Sequence, residues 1–259
     1  MGYLYETHLH TCLVSACGVS TGKEHVHFYH DRGFTGIIMT DHFFRGNCAI
    51  SRSLPWEERV DLFWRGFEDA LEEGLKVGLD VFFAYEENYG FDEYLIYGLT
   101  KDYMKAHPEM EHWTRRQQLE EVHQAGGAVI HAHPFRVRGY IDFIRIGDLF
   151  ADGIEAANAG NMQLDDARAY AYGQQKGLLM TAGSDNHHSP IVQPFGVELA
   201  ERMTSIQDYV NVILERKPLR LYVPDGRFQM PDGELSERYK AFRLDKEEQV
   251  YPLEAGPWK

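Results

Sequence analysis

The chain has 259 residues, 44% hydrophobic and 25% charged, with a net charge of −14. That fits one large domain or two small ones of ordinary globular composition. The acidic surface repels nucleic acid, and no Lys/Arg-rich run offsets it. No apolar run approaches the roughly 18 residues of a membrane span. The N-terminus lacks a basic segment followed by an apolar one, so no signal peptide is read and a cytoplasmic protein is expected. Cys12, Cys17 and Cys48 contain no Cys-x-x-Cys pair, so no disulfide framework is expected.

In chain order, Tyr3-Leu4-Tyr5 predicts a first strand, followed by His8-Leu9-His10. Alternate residues of a strand share a face, so both imidazoles can grip one ion. Thr21-Gly22-Lys23-Glu24 fits a capping box and predicts a helix to about Asp31. Gly36–Thr40 is a β-branched strand ending in Asp41-His42, and residues 43–54 are a loop. Pro55 and the acids after it open a long helix to about Val77. Strands follow at Val81–Tyr85, ending in Glu86-Glu87, and at Tyr94–Tyr97. Thr114 caps a helix to Gln124, and Ala128–Ile130 leads into His131-Ala132-His133-Pro134. A sixth strand at Gly153–Ala156, a helix over 163–176 and a seventh strand at Leu178–Ala182 come next. The seventh strand ends in Gly183-Ser184-Asp185-Asn186-His187. A helix over Ser205–Glu215 and a short strand at Leu219–Tyr222 complete the pattern.

Strands alternating with helices imply parallel pairing and right-handed crossovers. About seven such units predict an α/β fold, a barrel more than an open sheet. In such barrels function gathers at the C-terminal strand ends. His8, His10, His42, Glu86, Glu87, His131, His133, Asp185 and His187 all fall there. Imidazole and carboxylate together suit Zn, Mn or Fe, with carboxylates able to bridge two ions. The barrel domain is expected over 1–224. Residues 225–259 read as a tail, packed on the barrel or partly disordered.

Four stretches resemble the PHP (polymerase and histidinol phosphatase) family: His8–Thr11, Thr40–His42, His131–Arg136 and Gly183–His187. Their order and spacing fit over roughly residues 3–215. The resemblance implies a distorted seven-stranded, TIM-like (β/α)7 barrel that holds two or three divalent ions (Zn, Mn or Fe, with Mg possible) and hydrolyses phosphate esters. It implies that His8, His10 and Asp185 hold a first ion, that a glutamate bridges to a second bound by His133, and that His42 and His187 bind a third. Glu86 is preferred to Glu87 as the bridge, because it sits where the family places its glutamate.

There are two departures. The family often has a histidine after strand four, where Tyr97-Gly98-Leu99-Thr100 offers none. It also often has a His or Asp after the first motif, where Cys17 stands as a ligand or a small buried filler. A thiolate there would bind Zn well. His131 is read as supporting or packing beside the ligands, and Asp41 as orienting one of them.

The expected activity is that of a metal-dependent phosphoesterase on a small phosphorylated substrate, such as histidinol phosphate or a nucleotide. Arg136 would grip phosphate, and Arg45 in the 43–54 loop would add specificity. Asp41, Asp185 or a metal-bound water would protonate the leaving oxygen. An amidohydrolase, whose barrel also begins with His-x-His, and a non-catalytic metal- or ligand-binding barrel are the alternatives. The amidohydrolase class commonly needs a strand-end lysine, and none is seen here. Nucleic acid and membrane are not expected partners, and nothing in the sequence specifies an oligomer.

Overall fold

Short apolar runs become strands, and the capped stretches between them become helices. The computed structural model describes residues 2–90, 92–139, 141, 143–230, 240–254 and 256. β1 (Tyr3–Glu6), α1 (Gly22–His30) and β2 (Gly36–Met39) come first. Next are α2 (Trp56–Phe63), α3 (Arg65–Val77), β3 (Asp80–Asn88), β4 (Glu93–Tyr97), α4 (Lys101–Ala106) and α5 (Arg115–Gln124). β5 (Ala128–Ala132), β6 (Ile144–Ile146), β7 (Gly153–Asn158), α6 (Gln163–Lys176) and β8 (Leu179–Gly183) follow. β9 (Gly196–Leu199), α7 (Ile206–Leu214), β10 (Leu219–Tyr222), β11 (Ala241–Leu244) and β12 (Val250–Pro252) end the described chain.

Nine strands form one sheet in the order β10-β9-β1-β2-β3-β4-β5-β7-β8. The sheet curls into a nearly closed, distorted barrel, with β8 coming back towards β9 and β10. Closure is completed at the site end, where Leu9 bridges Asn186 in parallel and His10 N donates to Asn186 O at 2.9 Å.

Uniformly parallel pairing is not what forms. β1–β2–β3 and β5–β7–β8 are parallel, but β4 runs antiparallel to both neighbours. Only a short connection joins β3 to β4, too short for a helical crossover, so the chain turns back as a hairpin. β9 and β10 also join antiparallel beside β1. β6, β11 and β12 form a second small sheet, so residues 241–252 of the expected tail pair back onto the protein. Residues 231–239 of that tail lie outside the described residues.

The helix over 55–77 is two helices rather than one, meeting at Trp64. Trp64 stacks on Phe83 with ring centroids 3.7 Å apart. Gly66 then lets α3 run close to Thr11 and Asp41, since a Cβ there would lie 2.4 Å from Asp41 Oδ2. The capping boxes at Thr21/Glu24 and Thr114/Gln117 form as the sequence predicts.

α7 covers the end of the barrel where β5 begins and β4 ends, packing Tyr209, Val210 and Ile213 with Tyr5, Tyr97 and Ala128. Each large apolar side chain buried there contributes roughly 1.5–3 kcal/mol. That end is sealed, and the opposite end carries the histidines. No described helix is long and apolar enough to cross a membrane.

Candidate metal centre

His8 and His10 leave β1 side by side, with their Nε2 atoms 3.1 Å apart. His10 Nε2 is 3.1 Å and His8 Nε2 3.5 Å from Asp185 Oδ1. Glu86, from the inward face of β3, places Oε1 3.3 Å from His8 Nε2 and 3.1 Å from His133 Nε2. Its Oε2 lies 2.7 Å from His42 Nδ1. His42 and His187 stack on the two sides of His10, at 4.2 and 4.3 Å between centroids. His10, His42 and His187 offer ligand atoms that converge, and so do His8, Glu86 and His133, and His8, His10 and Asp185.

The electrostatics of this pocket are unresolved by the protein itself. Burial together with neighbouring His42 and His187 holds His10 well below its ordinary pKa. Burial opposes charge on Glu86, but His8 and His42 outweigh it and hold the carboxyl well below the usual range. Asp185 is likewise pushed up by burial, then held far lower by Arg136 and His8. His42 Nδ1 and Glu86 Oε2 are buried and make no hydrogen bond of good geometry, although they lie 2.7 Å apart as an ion pair. Buried polar atoms are rarely left so. A divalent ion fits: converging imidazole nitrogens and carboxylate oxygens form its usual donor set.

Alternation along β3 separates the two glutamates. Glu86 faces the histidines, while Glu87 faces out and pairs with Arg45 at 3.0 Å. Arg45 also donates to Trp113 O at 2.7 Å and stacks over Tyr89 at 4.0 Å, though it still lines the cavity above the site. Alternation fails for His131 and His133, because His133 takes a positive φ of 29°. His131 instead turns away, its ring nitrogens meeting Glu93 O at 3.1 Å and Arg145 O at 3.3 Å. Asp185 also has positive φ, 52°. Non-glycine residues pay for such geometry, and it concentrates at functional sites.

A ring of support lies behind the histidines. Asp41 accepts from Thr11 N at 2.6 Å and Ser15 Oγ at 2.7 Å, and Ser15 Oγ meets His10 Nδ1 at 3.3 Å. Asp41 therefore faces this network. Burial raises its pKa to about 6. Glu6 accepts from the backbone of Thr7, His8 and Ser184 and from Tyr29, tying the first and last motifs together. Cys17 sits exposed at the rim. Burial of its sulfur is outweighed by hydrogen bonds with His187 and His42, which bring the thiol down to about 6.

Sequence reasoning missed two acids. Glu155 on β7 bonds His8 Nδ1 at 2.9 Å and accepts from His133 N at 3.1 Å and Asn158 Nδ2 at 2.9 Å. An acid inside the otherwise apolar strand Gly153–Ala156 was the signal. A Cβ on Gly183 would meet Glu155 Oε1 at 2.8 Å, so glycine there lets β8 pass. Glu93, at the start of β4, places Oε2 3.4 Å from His133 Nε2.

Arg136 forms one wall of a cavity of about 530 Å³, shared with Cys17, His42, Arg138, Asp185 and His187. Its Nε donates to Asn161 at 2.7 Å and its Nη2 to Asn158 at 2.8 Å. The same Nη2 lies 2.5 Å from Asp185 Oδ2.

Solved structures share this curved α/β barrel fold. A two-domain protein from Bacteroides vulgatus, containing a predicted PHP-like metal-dependent phosphoesterase, matches 86% of this chain with 15% identity and a TM-score of 0.56. The chain spans 65% of that protein's length. PsfC from Pseudomonas syringae matches 89% of this chain and 95% of its own, with 12% identity and a TM-score of 0.55. A Bifidobacterium adolescentis protein, provisionally named a metal-dependent phosphoesterase, matches 81% and 96%, with 14% identity and a TM-score of 0.51. No family model and no curated protein matches the chain. The distorted barrel that the PHP resemblance implies is the fold found.

Proposed function

We propose that the chain is a metal-dependent phosphoesterase that hydrolyses a small phosphate monoester. One observation carries this reading. Buried His42 Nδ1 and Glu86 Oε2, facing each other at 2.7 Å without hydrogen-bond geometry in a ring of histidines and acids, adjoin a cavity walled by an oriented arginine. In this reading His8, His10 and Asp185 hold one ion, Glu86 bridges to a second at His133, and His42, His187 and Cys17 serve a third. The names of the fold neighbours point the same way.

Bound divalent ions lower the pKa of water and draw charge from phosphate oxygens. The chain's own residues do the rest. Arg136 presents a guanidinium fixed through Nε and Nη2 by Asn161, Asn158 and Asp185, which leaves Nη1 to donate to a phosphate oxygen. Glu155 accepts the Nδ1 proton of His8 and so leaves His8 Nε2 as a lone-pair donor facing the site. Arg45 stands at the far wall, where a group beyond the phosphate would reach. Cys17, hydrogen-bonded to His187 and His42, serves as a ligand in this reading, and water is the nucleophile.

The test is hydrolysis of p-nitrophenyl phosphate by protein reconstituted with Mn, Zn, Fe or Mg. His10→Ala and Asp185→Ala should lose at least ~10³-fold in kcat/KM, as several kcal/mol of metal stabilisation implies, with far-UV circular dichroism unchanged. Equal rates in the wild type and both variants would refute the proposal. Parallel amide substrates separate an amidohydrolase.

A further inference from the structure

The family resemblance leads one to look for a ligand after strand four, and none is present there. The strand direction explains why. β4 is antiparallel, with Asn88 opposite Glu93 and Tyr97 opposite Ala84. On its other side Glu93 is opposite Ala132 and Tyr97 opposite Ala128. The C-terminal ends of β3 and β5 carry Glu86 and His133, so the end of β4 beside them is its beginning. Tyr97–Thr100 sit at the sealed end, with Tyr97 packed on Tyr209, and no residue there reaches the site. The residue of β4 that does reach it is Glu93.

Glu93 has the environment of a ligand. Its Oε1 accepts from Asn88 Nδ2 at 2.6 Å, and its Oε2 lies 3.4 Å from His133 Nε2. Glu93, Glu86 and His42 present atoms that converge within 4.8 Å of one another. Two of these three, Glu86 Oε2 and His42 Nδ1, are the buried atoms without hydrogen bonds, in residues only 1% and 8% exposed. Two carboxylates this close repel each other unless one takes up a proton or a cation lies between them. The nearby arginines are engaged elsewhere, Arg136 with Asp185 and Arg45 with Glu87. Among the described residues Glu93 has no ion pair with a lysine or arginine, and its Oε2 lies nearest the imidazole of His133.

We propose that Glu93 is a direct ligand of the second ion, beside Glu86 and His133, and that it makes this end of the site oxygen-rich. The proposal rests on reading the cluster as a metal centre. The two ends of the cluster then differ in chemistry. Glu86, Glu93 and His133 supply mainly hard oxygen donors, which favour Mn or Mg. His10, His42 and His187 supply imidazole alone, with the Cys17 thiol at the rim, which favours Zn.

Binding to the metal-free full chain tests this without any turnover. Mn(II) is titrated in, and the electron-paramagnetic signal of free aqueous Mn(II) is followed. Bound Zn is counted separately by elemental analysis. The wild type should bind Mn, and Glu93→Gln should lose one equivalent or bind it at least ~10-fold more weakly. Zn retained by His10, His42 and His187 should be unchanged in Glu93→Gln, which also shows that the variant is folded. Glu93→Asp, which keeps the charge on a shorter arm, should keep the Mn count at reduced affinity and covers a misfolded Gln variant. Mn binding equal to wild type in Glu93→Gln would overturn the role of Glu93 and leave the metal centre standing. A wild type that binds neither Mn nor Zn would overturn both.

Discussion

Two clusters of buried charge lie on the two sides of β3, and they are built in opposite ways. Outside, every acid has its arginine. Glu87 meets Arg45 at 3.0 Å, Glu111 meets Arg59 at 2.5 Å, and Asp92 meets Arg115 at 2.6 Å and Arg145 at 3.2 Å. Inside, among the described residues, five histidines crowd with Glu86, Glu93, Glu155 and Asp185, and Arg136 pairs with Asp185. Guanidinium nitrogens without hydrogen bonds also occur outside, on arginines that each keep a carboxylate within ion-pair distance. Inside, the unbonded atoms belong to an imidazole and a carboxylate that face one another. A cluster that satisfies itself holds the fold, whereas one that leaves its charges unmatched is prepared for something the chain does not supply.

That contrast can be broken from either side. The largest effect is expected outside. Asp92→Asn removes the buried carboxylate that Arg115 and Arg145 share, leaving Arg115 only Glu248 among the described carboxylates, and should cost about 3 kcal/mol of folding free energy by urea denaturation. Its metal content should stay at the wild-type level, and a joint loss of metal would show that the two clusters are one system. A smaller shift is expected inside. Chelation should lower stability by roughly 2.7 kcal/mol where metal had been held at about a hundred times its dissociation constant, seen as a drop in melting temperature that added metal reverses. A melting curve indifferent to chelator would mean that the inner cluster is as self-sufficient as the outer one. Smallest is Arg136→Lys. Lysine carries the charge but not the planar fork, so kcat/KM for a phosphate ester should fall about tenfold, or roughly 1.4 kcal/mol, with stability and metal count preserved.

The sequence was legible wherever periodicity or capping acts locally. The Thr21 and Thr114 capping boxes, the α6 span and the strands that end at each motif could all be read without a structure. So could the histidines, because strand ends gather on one side of a barrel. What could not be read depended on contacts distant in sequence. The reversal of β4 follows from a short connection that a helix-counting pattern passes over, and it hid Glu93. Glu155 stood out only as an acid in an apolar strand, and its partner, His8, lies far away in sequence. The turning away of His131 depends on a single backbone angle at His133. Glu86 and Glu87 have the same side-chain chemistry, and only the inward face of β3 distinguishes them.

The bridge between Leu9 and Asn186 has a kinetic consequence. It joins the first motif to the last, so the pocket's two halves come from opposite ends of the described barrel, and their meeting closes a very long loop. Contacts of such high sequence separation form late in folding. A chain lacking the last motif would keep His8, His10, His42 and Glu86 on neighbouring strands but lack Asp185 and His187. Metal would be taken up at the final step of maturation, and its binding would report that the barrel had closed.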